Sequence, residues 1–146
     1  MIDTVEVGIA AEYSTELAEA MGRLRGQLSS RHDGSALDRE QIEEIIESPW
    51  HAILIAVVDE RIVGMAILSV IFGSIDRNIY LEDFVVEEGL RGQGVGAALW
   101  DKMKRWGKEK GCKRMEFTSS KPGMEEYYTQ KRGAEKRETN CYRIEL

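Results

Sequence analysis

The residues with the clearest capacity for chemistry are Arg91-Gly92-Gln93-Gly94-Val95-Gly96, a cation and three alternate glycines lying between a strand-like and a helix-like segment. Glycine removes side chains where a loop meets a helix N-terminus, so backbone N–H groups can point at an anion with the helix dipole behind them. A purely structural turn would not need all three glycines, and the spacing therefore predicts a phosphate-binding loop. Gly92, Gly94 and Ala97 also satisfy the dinucleotide pattern G-x-G-x-x-G/A, with Glu116 where a ribose-binding acid would be sought. The context contradicts that reading. Dinucleotide folds place the pattern after their first strand and need a second mononucleotide half, whereas here several strand-like runs precede it and only 50 residues follow Gly96. The triphosphate pattern G-x-x-x-x-G-K-[ST] is absent from the sequence. His32, His51, Cys112 and Cys141 are scattered without metal-ligand or C-x-x-C spacing, so neither a metal site nor a disulfide framework is expected.

The elements that must hold this loop can be read from periodicity. A short first strand is expected over 5–10, and Leu17, Met21, Leu24 and Leu28 then form the stripe of an amphipathic helix that Ser14 caps. A polar loop over 29–37 leads to a capping box at Asp38 and Gln41, and the second helix, carrying Ile42, Ile45 and Ile46, ends at Pro49. The β-branched run over 52–58, a turn at Asp59-Glu60-Arg61 and the run over 62–72 make a hairpin. Residues 78–86 add a third antiparallel strand. Val95, Leu99, Met103 and Trp106 mark a long helix closed by Gly111. A strand over 113–118, a shorter helix over 122–132 and two closing strands over 134–137 and 141–144 complete the expectation. The fold class is mixed α/β, in a single domain spanning 1–146.

Composition narrows the function. A chain of 146 residues with 42% hydrophobic and 32% charged residues is an ordinary globular domain. No apolar run suffices for a membrane span and the first residues lack the pattern of a secretory signal, so a cytoplasmic protein is expected. Residues 1–73 hold 5 basic and 13 acidic side chains, against 15 and 13 in 74–146, which favours an anionic ligand on the C-terminal half and a cationic one facing the N-terminal half. Net acidity, and basic residues that are not interleaved with aromatics, argue against nucleic acid.

The stretch from Val85-Val86-Glu87-Glu88-Gly89-Leu90 into the glycine loop and on to Leu99 resembles the acetyl-CoA-binding motif of the GNAT acyltransferases, Q/R-x-x-G-x-G/A, with Arg91, Gly94 and Gly96 filling it. The preceding Tyr80-Leu81-Glu82-Asp83-Phe84-Val85-Val86 is similar to a strand of the spermidine/spermine-type diamine acetyltransferases, and Lys131-Arg132-Gly133-Ala134 to a later turn of theirs. The resemblance implies a mostly antiparallel mixed sheet flanked by about four helices. It also implies acetyl-CoA as cosubstrate, with no metal, and a small cationic amine as acceptor; a homodimer is compatible with it. It implies further that backbone amides of Gln93, Gly94, Val95, Gly96 and Ala97, beside Arg91 and Gly92, hold the pyrophosphate. The edge of Phe84, Val85 and Val86 would bind the pantetheine arm, and Glu82 would be the base. Strand alternation puts Glu82, Phe84 and Val86 on one face and Asp83 on the other. The family's donor tyrosine stands four residues before a glycine, which here is Thr129, counting from Gly133; Tyr128 precedes it. A phenol is the better proton source, so Tyr128 is favoured over Thr129, and Tyr127 is assigned to the core or to solvent. The alternative function is an acyl-CoA-binding regulatory module with little or no catalysis.

Overall fold

The computed structural model describes residues 4–146. Strand β1 (Glu6–Ile9) is followed by helices α1 (Thr15–Leu28) and α2 (Arg39–Glu47), then by strands β2 (His51–Val58), β3 (Arg61–Phe72) and β4 (Arg77–Val86). Helix α3 (Val95–Glu109), the short strand β5 (Met115–Glu116) and a π-helical turn (Tyr127–Lys131) complete the regular structure. The five strands form one sheet in the order β1-β2-β3-β4-β5, antiparallel except where β5 joins β4. No helix among the described residues is long and apolar enough to cross a membrane.

Local chemistry sets most of these boundaries. The Leu17 N–H donates to Ser14 Oγ at 3.0 Å and the Glu40 N–H to Asp38 Oδ1 at 3.1 Å, so α1 and α2 each begin on a side-chain cap. Asp59 and Glu60 both have positive φ, 49° and 64°, the conformation a two-residue hairpin needs to match strand twist; Arg61 already pairs with Val58 as part of β3.

Each face of the sheet has its own core. On one, Leu17, Met21 and Leu24 of α1 and Ile42 of α2 pack on Ile53, Met65 and Val85. On the other, Val95, Leu99, Met103 and Trp106, along one stripe of α3, pack on Leu54, Leu68, Ile79 and Leu81.

The C-terminal expectations need correction. Strand β5 is two residues long, not six, and the helix expected over 122–132 is reduced to the π-turn. The closing strands over 134–137 and 141–144 do not form. Tyr142, Ile144 and Leu146 alternate with Arg143 and Glu145 as in a strand, yet they are exposed, because so short an edge offers too few ladder bonds to seed another strand.

Helix α1 also holds the loop that leads into α2. The Leu37 N–H donates to the Ala18 carbonyl at 3.1 Å, and a Cβ on Gly22 would run into the Ser35 carbonyl and come within 2.9 Å of Ala36 Cα. Only glycine permits this backbone approach. Gly22→Ala is therefore expected to destabilise the protein by about 1–3 kcal/mol. Gly107→Ala should cost less, since its Cβ would meet the mobile Cδ1 of Ile79 at 2.9 Å and gain about 1 kcal/mol of helix propensity. The order of urea midpoints for the two variants checks this.

Candidate active site

Helix α3 begins unlike α1 and α2. Its N-cap is Gly94, held at φ 92° with no side-chain cap, and no acidic residue lies in its first turn. The first backbone N–H groups are thus left without an internal acceptor, which suits them to an external anion. Two side chains fold back along the loop before it: Arg91 Nε donates to the Val86 carbonyl at 3.0 Å and Gln93 Nε2 to the Gly89 carbonyl at 3.3 Å.

Where β4 ends, Glu87 is the charged residue found buried among the described residues. Its Oε1 accepts from Arg23 Nε at 3.1 Å and from Arg61 Nη2 at 2.8 Å, and its own N–H donates to the Val63 carbonyl at 2.7 Å. Two guanidiniums offset the cost of burying the carboxylate. Sequence reasoning missed this residue, which reads as one more acid beside Glu88.

The middle of β4 departs from simple alternation. Ile67 pairs with Glu82 but Met65 with Val85, so Asp83 and Phe84 together oppose Ala66, and Asp83 takes φ 51°. This bulge reverses the parity of the strand. Glu82, opposite Ile67, lies on the α1/α2 face, whereas Phe84 and Val86 pack against the α3 core. The expectation that all three share one face is therefore corrected. Partial burial, and then the Asp83 carboxylate, push the Glu82 carboxyl above its ordinary value. Burial raises Asp83 as well, against an opposing pull from His32 and Arg25.

From Leu81 onward, through the bulge, β4 has a free edge. Its ladder with β5 consists of Ile79 with Met115 and Tyr80 with Glu116, and Tyr80 Oη lies 3.1 Å from Thr118 Oγ1 just past it. Among the described residues, no strand pairs with Leu81 to Val86 on that side. The wedge so opened is floored by aromatic rings. Trp100 meets Phe84 at 5.6 Å and Phe117 at 5.5 Å between centroids, and Phe117 meets Tyr128 at 4.7 Å.

The three hydroxyl-bearing residues of the π-turn have different surroundings. Tyr128 is a packing residue against Trp100 and Phe117; burial and the neighbouring Tyr127 raise its pKa, with Ser119 as a partial counterweight. Thr129 Oγ1 donates to the Glu125 carbonyl at 2.9 Å on the exposed side. Tyr127, expected in the core or in solvent, reaches the wedge instead. A Cβ on Gly96 would lie 3.1 Å from the Tyr127 hydroxyl, 3.6 Å from Phe84 Cζ and 3.7 Å from Val86 Cγ2. The cause is the turn itself, in which the Arg132 N–H donates to the Tyr127 carbonyl at 3.2 Å, five residues back. One residue too many between the tyrosines and Gly133 was the available signal.

The other singled-out residues lie apart from the wedge. Glu116 pairs with Arg137, and His51 Nδ1 lies 2.7 Å from Ser48 Oγ at the far end of β2. Cys112 and Cys141 are free thiols. Among the described residues, no group of three or more His, Cys, Asp and Glu side chains is arranged to hold a metal ion.

The architecture is similar to several solved structures. One is meta-AAC0020, an aminoglycoside acetyltransferase from an uncultured soil metagenomic sample, in complex with trehalose (19% identity, 97% of each chain covered, TM-score 0.80). Another is glucosamine-6-phosphate N-acetyltransferase from Arabidopsis thaliana (18% identity, 97% of this chain and 99% of that one, TM-score 0.80). A third is AAC(6')-Iy in complex with the bisubstrate analogue CoA-S-monomethyl-acetylneamine (25% identity, 99% and 100% covered, TM-score 0.75). The first two likenesses are likenesses of fold. No curated protein matches the sequence. The model of the acetyltransferase (GNAT) family matches residues 17–134, which take in α1, the bulged strand, the glycine loop and the π-turn, and the chain belongs to that family.

Proposed function

We propose that this acetyltransferase moves the acetyl group of acetyl-CoA to the nitrogen of a small cationic primary amine, by direct attack of that nitrogen. The observation that supports the reading is the parity change at Asp83: Glu82 lies on the α1/α2 face, whereas Phe84 and Val86, which share the surroundings of Gly96 with the Tyr127 hydroxyl, lie on the α3 face. Acetyl-CoA, when bound, supplies an activated acetyl group on a thiol that can leave. The N–H groups of Gln93 to Ala97 would take its pyrophosphate, and the edge of Phe84 to Val86 its amide-containing arm, as an added strand.

Glu82 accepts the proton that an incoming ammonium must lose before its lone pair can form the C–N bond. Tyr127 donates a proton to the sulfur as the C–S bond breaks. A base on one side and a donor on the other match the opposite directions from which nucleophile and leaving group approach a thioester carbon. A cationic acceptor is supported by the acidic excess of residues 1–73, the half of the sequence that includes α1 and α2, which cover the face that Glu82 shares. The strand from Tyr80 to Val86, with its likeness to diamine acetyltransferases, supports a polyamine-like acceptor. One similar structure is that of an aminoglycoside acetyltransferase and another holds the bisubstrate analogue CoA-S-monomethyl-acetylneamine, which supports an amine acceptor.

Gly94→Val forces a β-branched residue into a left-handed N-cap and covers the amides behind it. Calorimetry on the folded variant should show acetyl-CoA binding lost, and unchanged affinity would refute the pyrophosphate site.

Glu82 works as a base only when ionised, and its pKa is raised. Turnover should therefore fall on the acid side at a pH above the ordinary glutamate range. Glu82→Gln should lower kcat/KM about a hundredfold near neutrality, and less at high pH, where free amine is already abundant. A deficit that does not vary with pH would make Glu82 a structural residue.

Tyr127→Phe should lower kcat at least about tenfold with acetyl-CoA affinity retained, whereas Tyr128→Phe and Thr129→Val should change it little. Loss of turnover only in one of the latter pair, followed by thiol release, would move the donor there.

A further inference from the structure

The glycine loop is gripped from a distance by α1. Arg23 and Gln27 stand one turn apart on the same helical face, and both reach the segment that leaves β4. Arg23 holds Glu87 and also donates from Nη2 to the Ile62 carbonyl at 2.7 Å. Gln27 Oε1 accepts from the backbone N–H of Glu88 at 2.7 Å, across 61 positions of sequence. Glu87 is further tied to β3 through Arg61 and the Val63 carbonyl, and past it the other bonds stay within the loop or return to its own strand: Leu90 N–H to the Glu87 carbonyl at 3.0 Å, Gln93 to Gly89 and Arg91 to Val86.

Gly89, Gly92 and Gly94, all at positive φ, give the loop backbone freedom that it must lose to present its amides together. A side chain that fixes Glu88 removes part of that freedom before any anion arrives. We infer that Gln27 is a positioning residue for acetyl-CoA: it holds the start of the pyrophosphate loop in its anion-receptive form and touches neither substrate. The inference rests on the proposed cosubstrate site. Gln27 tests it better than Arg23, because Arg23 also neutralises a buried carboxylate and its loss would disturb the fold.

Gln27→Met keeps the length of the side chain and removes the amide oxygen, at a half-buried position in the last turn of α1. Its affinity for acetyl-CoA, measured by calorimetry, should fall about three- to tenfold. KM for acetyl-CoA should rise in step, with kcat at saturation unchanged. The Glu88 amide should exchange its hydrogen faster. Acetyl-pantetheine carries the thioester but no pyrophosphate, so kcat/KM with it should be the same in variant and wild type. Gln27→Ala should behave as Gln27→Met does. Unchanged acetyl-CoA affinity in both variants would overturn the inference, and so would an equal loss with acetyl-pantetheine, which would mark a general structural defect. Failure of the wild type to bind acetyl-CoA would instead overturn the proposed function, and this inference with it.

Discussion

One extra residue in β4 decides how the two halves of this site face each other. Asp83 adopts a left-handed backbone opposite a single residue of β3, and every side chain beyond it points the other way from what alternation would give. Aspartate tolerates that conformation better than most residues, since its short polar side chain can interact locally, but the strain is still of order 1 kcal/mol. It is held in place from both ends, by the β3 ladder from Arg77 to Glu82 on one side and by Val85, Val86 and the anchored Glu87 on the other. The β4–β5 ladder ends at Tyr80, three residues before Asp83, so the reversal of parity falls within the stretch of β4 that has lost its neighbouring strand.

Electrostatics divides the structure along the same line. Helices α1 and α2 satisfy their own N-termini with Ser14 and Asp38 and place Glu16 and Glu40 in their first turns, whereas α3 starts on a bare glycine without an acid. A buried carboxylate with two guanidiniums sits one strand end away, at Glu87. Opposite charges are thus kept on the framework, and the helix dipole of α3 is left to face outward.

Much of this is legible from residue types. The caps, the hairpin, the third strand, the stripe of α3 and the glycine loop all arise from local rules whose physical causes operate within a few residues. The hidden part depends on contacts distant in sequence. Asp83 interrupts a run of strand formers with a residue that strands disfavour, but one such residue reads equally as an exposed position of a regular strand. The anchoring of Glu87 needs Arg23 and Arg61, and the roles of Tyr127 and Tyr128 depend on the packing of Trp100 and Phe117. The closing strands are expected from alternation alone, which does not ensure that an edge is available to receive them.

The π-turn carries a consequence for how such a site can vary. An α-helix turns by about 100° per residue, so a π-turn is a single residue accommodated without displacing the chain beyond it. The wider turn lies just before Gly133, and it changes the angle at which the preceding side chains leave the axis. Length and facing are therefore coupled at this point. Loss of one residue between Tyr128 and Gly133 would restore ordinary helical winding and turn Tyr128 by about 100° toward the position that Tyr127 now holds. An insertion or deletion, an event usually confined to loops, becomes here a means of choosing which phenol meets the wedge.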